Sequence, residues 1–218
     1  MQMGKSRATD VMTSDGRKTV NDGRAVRAAR ERAKQHRRIV EATRLLLASN
    51  DVDSIRVADI ADGAGCSTAT IHNHFPNALP GILAAISEDI IQTAFKQFEK
   101  ISKGFSGIEL VRSYFKTVGE HICEQSDVAV PSIAISVDLA SQGSWFDRKI
   151  FSDCEELFKK AKETEQINGS HNELARLTHT FFQGALYSWA LGSVDSEEFL
   201  RMSTESVDFA VSSSRSAA

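Results

Sequence analysis

Between Thr68 and His74 stand two threonines, two histidines, an asparagine and an alanine, grouped around one large apolar residue, Ile71. Imidazoles can ligate a metal, but His72 and His74 fall on different faces of a helix and have no third ligand beside them. Short hydroxyl, amide and methyl groups can instead meet the donors, acceptors and thymine methyls of a DNA major groove. The rest of the chain offers little competing chemistry. Its six histidines and three cysteines (Cys66, Cys123 and Cys154) form no CxxC pair. No Ser/His/Asp arrangement, phosphate loop, dinucleotide fingerprint or GxSxG elbow appears. These features lead us to expect no enzyme, metal or cofactor, and a reducing, cytoplasmic setting. The different-class alternative is an enzyme or a helical protein-interaction adaptor that binds no DNA.

A short reading surface must be held by something. Val57, Ile60, Ala61 and Ala64 repeat at i, i+3, i+4, i+7, which predicts a helix with one apolar face. Gly65 follows where a helix stop is needed, and Ser67 is placed to cap a second helix. The result is two short helices joined by a tight turn, the second suited to a major groove. An ordinary helical hairpin is the plainer reading, and in it each of these polar residues simply faces solvent. Upstream, Ile39, Ala42 and Leu46 form a stripe on a longer helix, about 25–49. Asn50 and Asp51 break that helix, and Ser54 or Asp53 could cap the next. Leu46, Ile60, Ile71 and Phe75 are the expected core of this three-helix unit.

Charge divides the chain. The net charge of −3 is the balance of +7 over residues 1–38 and −10 over the remainder. A basic front on an acidic body suggests a polyanionic partner for the front alone. Arg24, Arg27, Arg30, Arg32, Lys34, Arg37 and Arg38 stand among alanines, either as an arm along phosphates or a minor groove, or as a solvated charged helix. The 218 residues, 41% of them hydrophobic with only three prolines, fit an all-α protein of about nine helices. No apolar run approaches the ~18 residues of a membrane span, so no membrane partner is expected. We divide the chain into a disordered tail (1–24), a basic arm with a helix-turn-helix DNA-binding domain (25–78), and a helical effector-binding and dimerisation domain (79–213).

The front resembles the TetR family of bacterial transcriptional regulators. Ile39-Val40-Glu41-Ala42, Val57-Ala58-Asp59-Ile60-Ala61, Ala64-Gly65-Cys66-Ser67, Thr70-Ile71 and His74-Phe75 carry the resemblance. At the rear, Phe182-Gln183-Gly184-Ala185-Leu186-Tyr187-Ser188-Trp189-Ala190 and Glu198-Phe199-Leu200 look like the family's last two helices. Four positions depart from the family pattern. His72 replaces a usual tyrosine, Ala78 a lysine, Arg56 a capping threonine and Asp51 a glycine. Arg56 can supply a phosphate contact in compensation, and Cys66 stands at a small apolar turn position, which suggests packing.

The resemblance implies a homodimeric repressor on double-stranded DNA with a pseudo-palindromic operator, released by a small apolar or amphipathic effector. The DNA contacts it suggests are Arg37, Arg38, Arg56, Ser67, Thr68, Ala69, Thr70, His72, Asn73 and His74. It implies a dimer face of Phe181, Gly184, Ala185, Tyr187, Ser188, Trp189, Phe199, Met202 and Phe209, unless these pack within one subunit. Effector-pocket candidates are Phe95, Phe98, Phe115, Val118, His121, Ile122, Ile133, Val137, Phe146, Phe151 and Phe182, many of which could equally be core.

Overall fold

The computed structural model describes the backbone of residues 15–139 and 145–215, with side chains of 23–133 and 149–214. Among these residues there are nine α-helices and no strand: α1 (Asp15–Leu47), α2 (Val57–Gly63), α3 (Thr68–His74), α4 (Leu79–Ile101), α5 (Gly107–Glu124), α6 (Ser126–Leu139), α7 (Trp145–Thr164), α8 (His171–Ala190) and α9 (Ser196–Arg215). No single helix among them is long and apolar enough to cross a membrane. The first helix starts at Asp15 and not near residue 25. Residues 1–14, most of the tail expected at 1–24, lie outside the described residues.

Backbone contacts divide the chain at Arg38/Ile39, not at 78/79. The cause is a shared core. Ile39, Ala42, Leu47, Ile60, Ala61, Ile71 and Phe75 belong to the same buried cluster as Ile82, Leu83 and Ile86 of α4. A trihelical front of this size buries too little apolar surface to stand alone. The expected stripe on α1 is shifted at its end: Leu47 is buried and Leu46 only partly so.

From α4 onward the interior is largely aromatic. Phe98, Tyr114, Phe115, Phe182, Phe199 and Trp189 form successive ring contacts, with centroids 5.1–5.8 Å apart. The start of α5 is fixed from the far end of α7. Gly107 N–H donates to Thr164 Oγ1 (3.0 Å), and Ile108 N–H donates to Glu165 Oε2 (2.8 Å). These bonds satisfy N-terminal amide donors that the helix cannot pair internally. At the other end of α5, Gln125 Oε1 accepts from Arg44 Nη1 (2.7 Å), and Arg44 Nη2 donates to Asp89 on α4 (2.9 Å). One guanidinium thereby ties α1, α4 and the C-terminal end of α5 together.

Candidate nucleic-acid interface

The turn between α2 and α3 closes with two backbone bonds. Cys66 N–H donates to Ala61 O (2.9 Å), and Gly65 N–H donates to Asp62 O (3.1 Å). Together with a φ of +61° at Gly65, this is a Schellman ending, in which the left-handed residue is best a glycine. Cys66 is half-buried and packs on the core cluster. Ser67 then caps α3, its Oγ accepting from Thr70 N–H at 3.1 Å. At the start of α2, Asp59 Oδ2 accepts the Arg56 N–H (2.9 Å). The cap therefore comes from inside the helix, and the long Arg56 side chain remains exposed. Neither Ser54 nor Asp53 caps α2; they lie in the preceding 3₁₀ turn, Val52–Ser54.

Ile71, fully buried, and Phe75 seat α3 on the core. Their direction leaves Ser67, Thr68, Ala69, His72 and Asn73 exposed, with Thr70 and His74 half-buried. The Thr70 hydroxyl lies 2.9 Å from Ser67 Oγ, so it serves the cap before any base. The His74 ring leans on Phe75, with centroids 6.5 Å apart. The seven predicted residues from Ser67 to His74 thus share one short segment, with Arg56 on the adjoining helix. Arg37 and Arg38 are exposed on α1, in the other unit. Ala78, where the family pattern has lysine, takes a φ of +50° ahead of α4, a conformation costly for a residue with a Cβ.

The other predicted surfaces fare unevenly. Ala185, Trp189 and Phe199 are turned inward and cannot face a partner. Trp189 stacks on Phe199 at 5.3 Å and donates from Nε1 to Ser196 Oγ (3.1 Å). Gly184 is exposed, while Phe181, Tyr187, Ser188 and Met202 are half-exposed. Phe209 is 47% exposed and touches the Phe181 ring. Leu191, 77% exposed, continues this face and was missed. Its signal was its i+7 spacing from Gly184.

Of the pocket candidates, Phe115, Val118, Ile122, Ile133 and Phe182 are buried core, and Val137 and Phe146 lie outside the described side chains. Phe151 packs on His179. His121 is nearly buried, but it serves the α5 terminus. Because Gln125 Oε1 is taken by Arg44, the Gln125 amide must donate to His121 Nε2 at 2.7 Å. The imidazole Nδ1 lies 3.4 Å from the Glu124 carboxylate.

A groove of about 470 Å³ does open between α4, α5 and α7. Phe95, Phe98, Leu110 and Leu157 give it apolar walls, and Glu99, Lys103, Glu156 and Lys160 are charged groups along it. At one side, the buried Tyr114 hydroxyl donates to Asp153 Oδ2 (3.1 Å). Asp153 also pairs with Lys149, whose ammonium stands 4.4 Å from the Phe95 ring centre. Burial and the neighbouring carboxylate push the Tyr114 phenol well above its ordinary value. Phe95 and Phe98 are the two residues shared by this groove and the predicted pocket.

Residues 39–77 match the family model described as bacterial regulatory proteins, tetR family. No sequence among the curated proteins matches the chain. Several solved structures share the fold. A TetR transcriptional regulator from Rhodococcus sp. RHA1 is 15% identical with a TM-score of 0.64, covering 83% of this chain and 97% of its own. Thermus thermophilus FadR, a TetR-family repressor in complex with lauroyl-CoA, is 16% identical with a TM-score of 0.65, covering 79% of this chain and 92% of its own. A structure described as the molecular basis for control of antibiotic production by bacterial hormones is 21% identical with a TM-score of 0.63, covering 82% of this chain and 97% of its own.

Proposed function

We propose that this chain, which belongs to the TetR family of bacterial regulatory proteins through residues 39–77, is a homodimeric repressor of a pseudo-palindromic operator. The observation that carries the reading is the exposed row Thr68, Ala69, His72 and Asn73. It stands on a helix anchored by Ile71 and set by the Gly65 turn. Thr68 and Asn73 are the base-reading groups, Ala69 meets a thymine methyl, and His72 and Arg56 lie against phosphates. Two such helices, one per subunit, read successive major-groove faces about one helical turn apart. Membership in a family of regulatory proteins favours this role over an enzyme or an adaptor.

The effector we assign is a small amphipathic molecule. Lauroyl-CoA, held by the FadR relative, is a molecule of that kind. The groove beside Phe95 and Phe98 combines apolar walls with charged groups, and its volume falls in the ~300–1,000 Å³ range of ligand sites. An effector that favours a body geometry incompatible with the operator shifts the population off DNA. The test is a gel shift of the purified protein on duplexes flanking its own gene, repeated with acyl-chain amphiphiles. Retarded bands on one flanking duplex, but not on a scrambled one, are expected. Equal retardation of both would overturn the operator reading.

A further inference from the structure

We propose that residues 24–38 form a helical basic rail that binds the phosphate backbone of DNA without reading its sequence. The proposal rests on the DNA-binding reading above and adds a second contact to it. Helix α1 runs unbroken through this stretch, and residues 23–34 are exposed throughout. It carries seven cations and one acid, Glu31. At 3.6 residues per turn, Arg24, Arg27, Arg30, Lys34, Arg37 and Arg38 project within roughly 140° of arc, over about 21 Å of helix. Among the cations only Arg32 lies well off that arc, and Glu31 falls within it.

The opposite face settles the class of partner. It holds Ala25, Ala28, Ala29 and Ala33 around Arg32 and His36, with Val26, at its edge, as the largest aliphatic residue. A helix that lies in a lipid interface needs Leu, Phe or Trp on its apolar face, and one that packs on protein needs a wide apolar stripe. This helix has neither. What remains is a long cationic edge, which fits the regular line of charge along a nucleic-acid backbone. The family match begins only at residue 39, so the rail lies outside the segment that defines the family.

A helical rail makes a prediction that a flexible polycation does not: the face matters. Three full-length variants test it, each checked for helicity by circular dichroism. The first is Arg27→Ala with Arg30→Ala and Lys34→Ala, the second Arg32→Ala, and the third Asn73→Ala. Dissociation constants are measured on the flanking operator duplex and on a scrambled duplex, from 50 to 300 mM NaCl. The stripe variant is expected to weaken both duplexes by the same factor, about tenfold or more at 0.1 M salt, with a salt slope shallower by up to about three for each subunit bound. Arg32→Ala should stay within about twofold, since it removes a charge off the stripe. Asn73→Ala should narrow the operator-to-scrambled ratio and leave the slope alone.

Unchanged binding by the stripe variant would overturn the rail. So would equal, per-charge losses in the stripe and Arg32 variants, which would mean general electrostatics. Loss of binding to phosphatidylglycerol vesicles with DNA binding intact would assign the arm to a membrane instead. Rail-dependent binding with no preference for any flanking duplex would keep the rail and sink the operator reading.

Discussion

Ile71 is the residue on which the reading helix depends, because α3 is too short to be stable by itself. Truncation to alanine removes a fully buried side chain, and we expect a loss of about 2–5 kcal/mol with loss of operator binding. Urea unfolding that shifts by less than ~1 kcal/mol would refute that dependence. Ser67→Ala should cost about 1 kcal/mol through the lost cap and leave Thr70 Oγ1 without its partner. Both residues were legible in the sequence, because a turn and a cap are local devices written in adjacent residues. Arg56 was legible as a phosphate-contact candidate, but the source of the α2 cap was not: it comes from Asp59, inside the helix, and not from Ser54 or Asp53. At high pH two buried groups, Cys154 and Tyr114, draw on stability, because each keeps its proton in the fold. The folded Tyr114 holds its proton well above the ordinary phenol value. The stabilisation is therefore full below about pH 10, the unfolded value, and is lost as pH rises from there towards the folded value. Chemical unfolding between pH 9 and 11 should show stability falling, with Tyr114 contributing up to ~1.4 kcal/mol per unit above pH 10, and Tyr114→Phe should remove that part of the slope.

At the scale of elements, the body is organised by the two ends of α5. Gly107 has a φ of +55°, and a Cβ there would lie 2.2 Å from Glu165 Oε2, the atom that caps Ile108. Gly107→Ala therefore strains the backbone and displaces the cap, and we expect at least ~1–2 kcal/mol of destabilisation. A melting temperature within about 1 °C of wild type would contradict this. At the other end, Gln125→Leu leaves His121 without its donor and Arg44 with Asp89 alone. A cost of about 1–3 kcal/mol is expected. Because α1 is bonded to the end of α5 through that glutamine, the same variant should alter the effector concentration needed for operator release. None of these long-range ties was visible in sequence: partners separated by 57 or 81 positions leave no periodic trace. The helices themselves were visible, since apolar spacing is local. What spacing could not decide was which aromatic residues line a space and which fill it. Phe115 and Phe182 have the same periodicity as a pocket wall and pack as tilted rings in the core instead.

For the molecule as a whole, the question is what covers the outer face of α8 and α9. Leu177, Phe181, Gly184, Ser188 and Leu191 recur at alternating intervals of four and three along α8, all at least partly exposed. That is the spacing of a helix-packing seam, and Gly184, with open space beyond it, permits close approach. Phe209 and Met202 of α9 add apolar surface to it. Left to solvent, so many apolar groups on one face would favour association. A second copy of the chain meeting this face across a two-fold axis would bury it and set two reading helices apart at a fixed distance. Operator affinity then depends on the seam, since each head alone contributes only one half-site. Gly184→Arg combined with Phe209→Glu places charges on the seam without touching the buried side of either helix. We expect light scattering to report a monomer and circular dichroism an unchanged helix content. Operator affinity should fall by about two orders of magnitude or more, as the linkage of two binding events is lost. A variant that stays dimeric would move the interface elsewhere, and one that is monomeric yet binds the full operator as tightly as wild type would remove dimerisation from the mechanism.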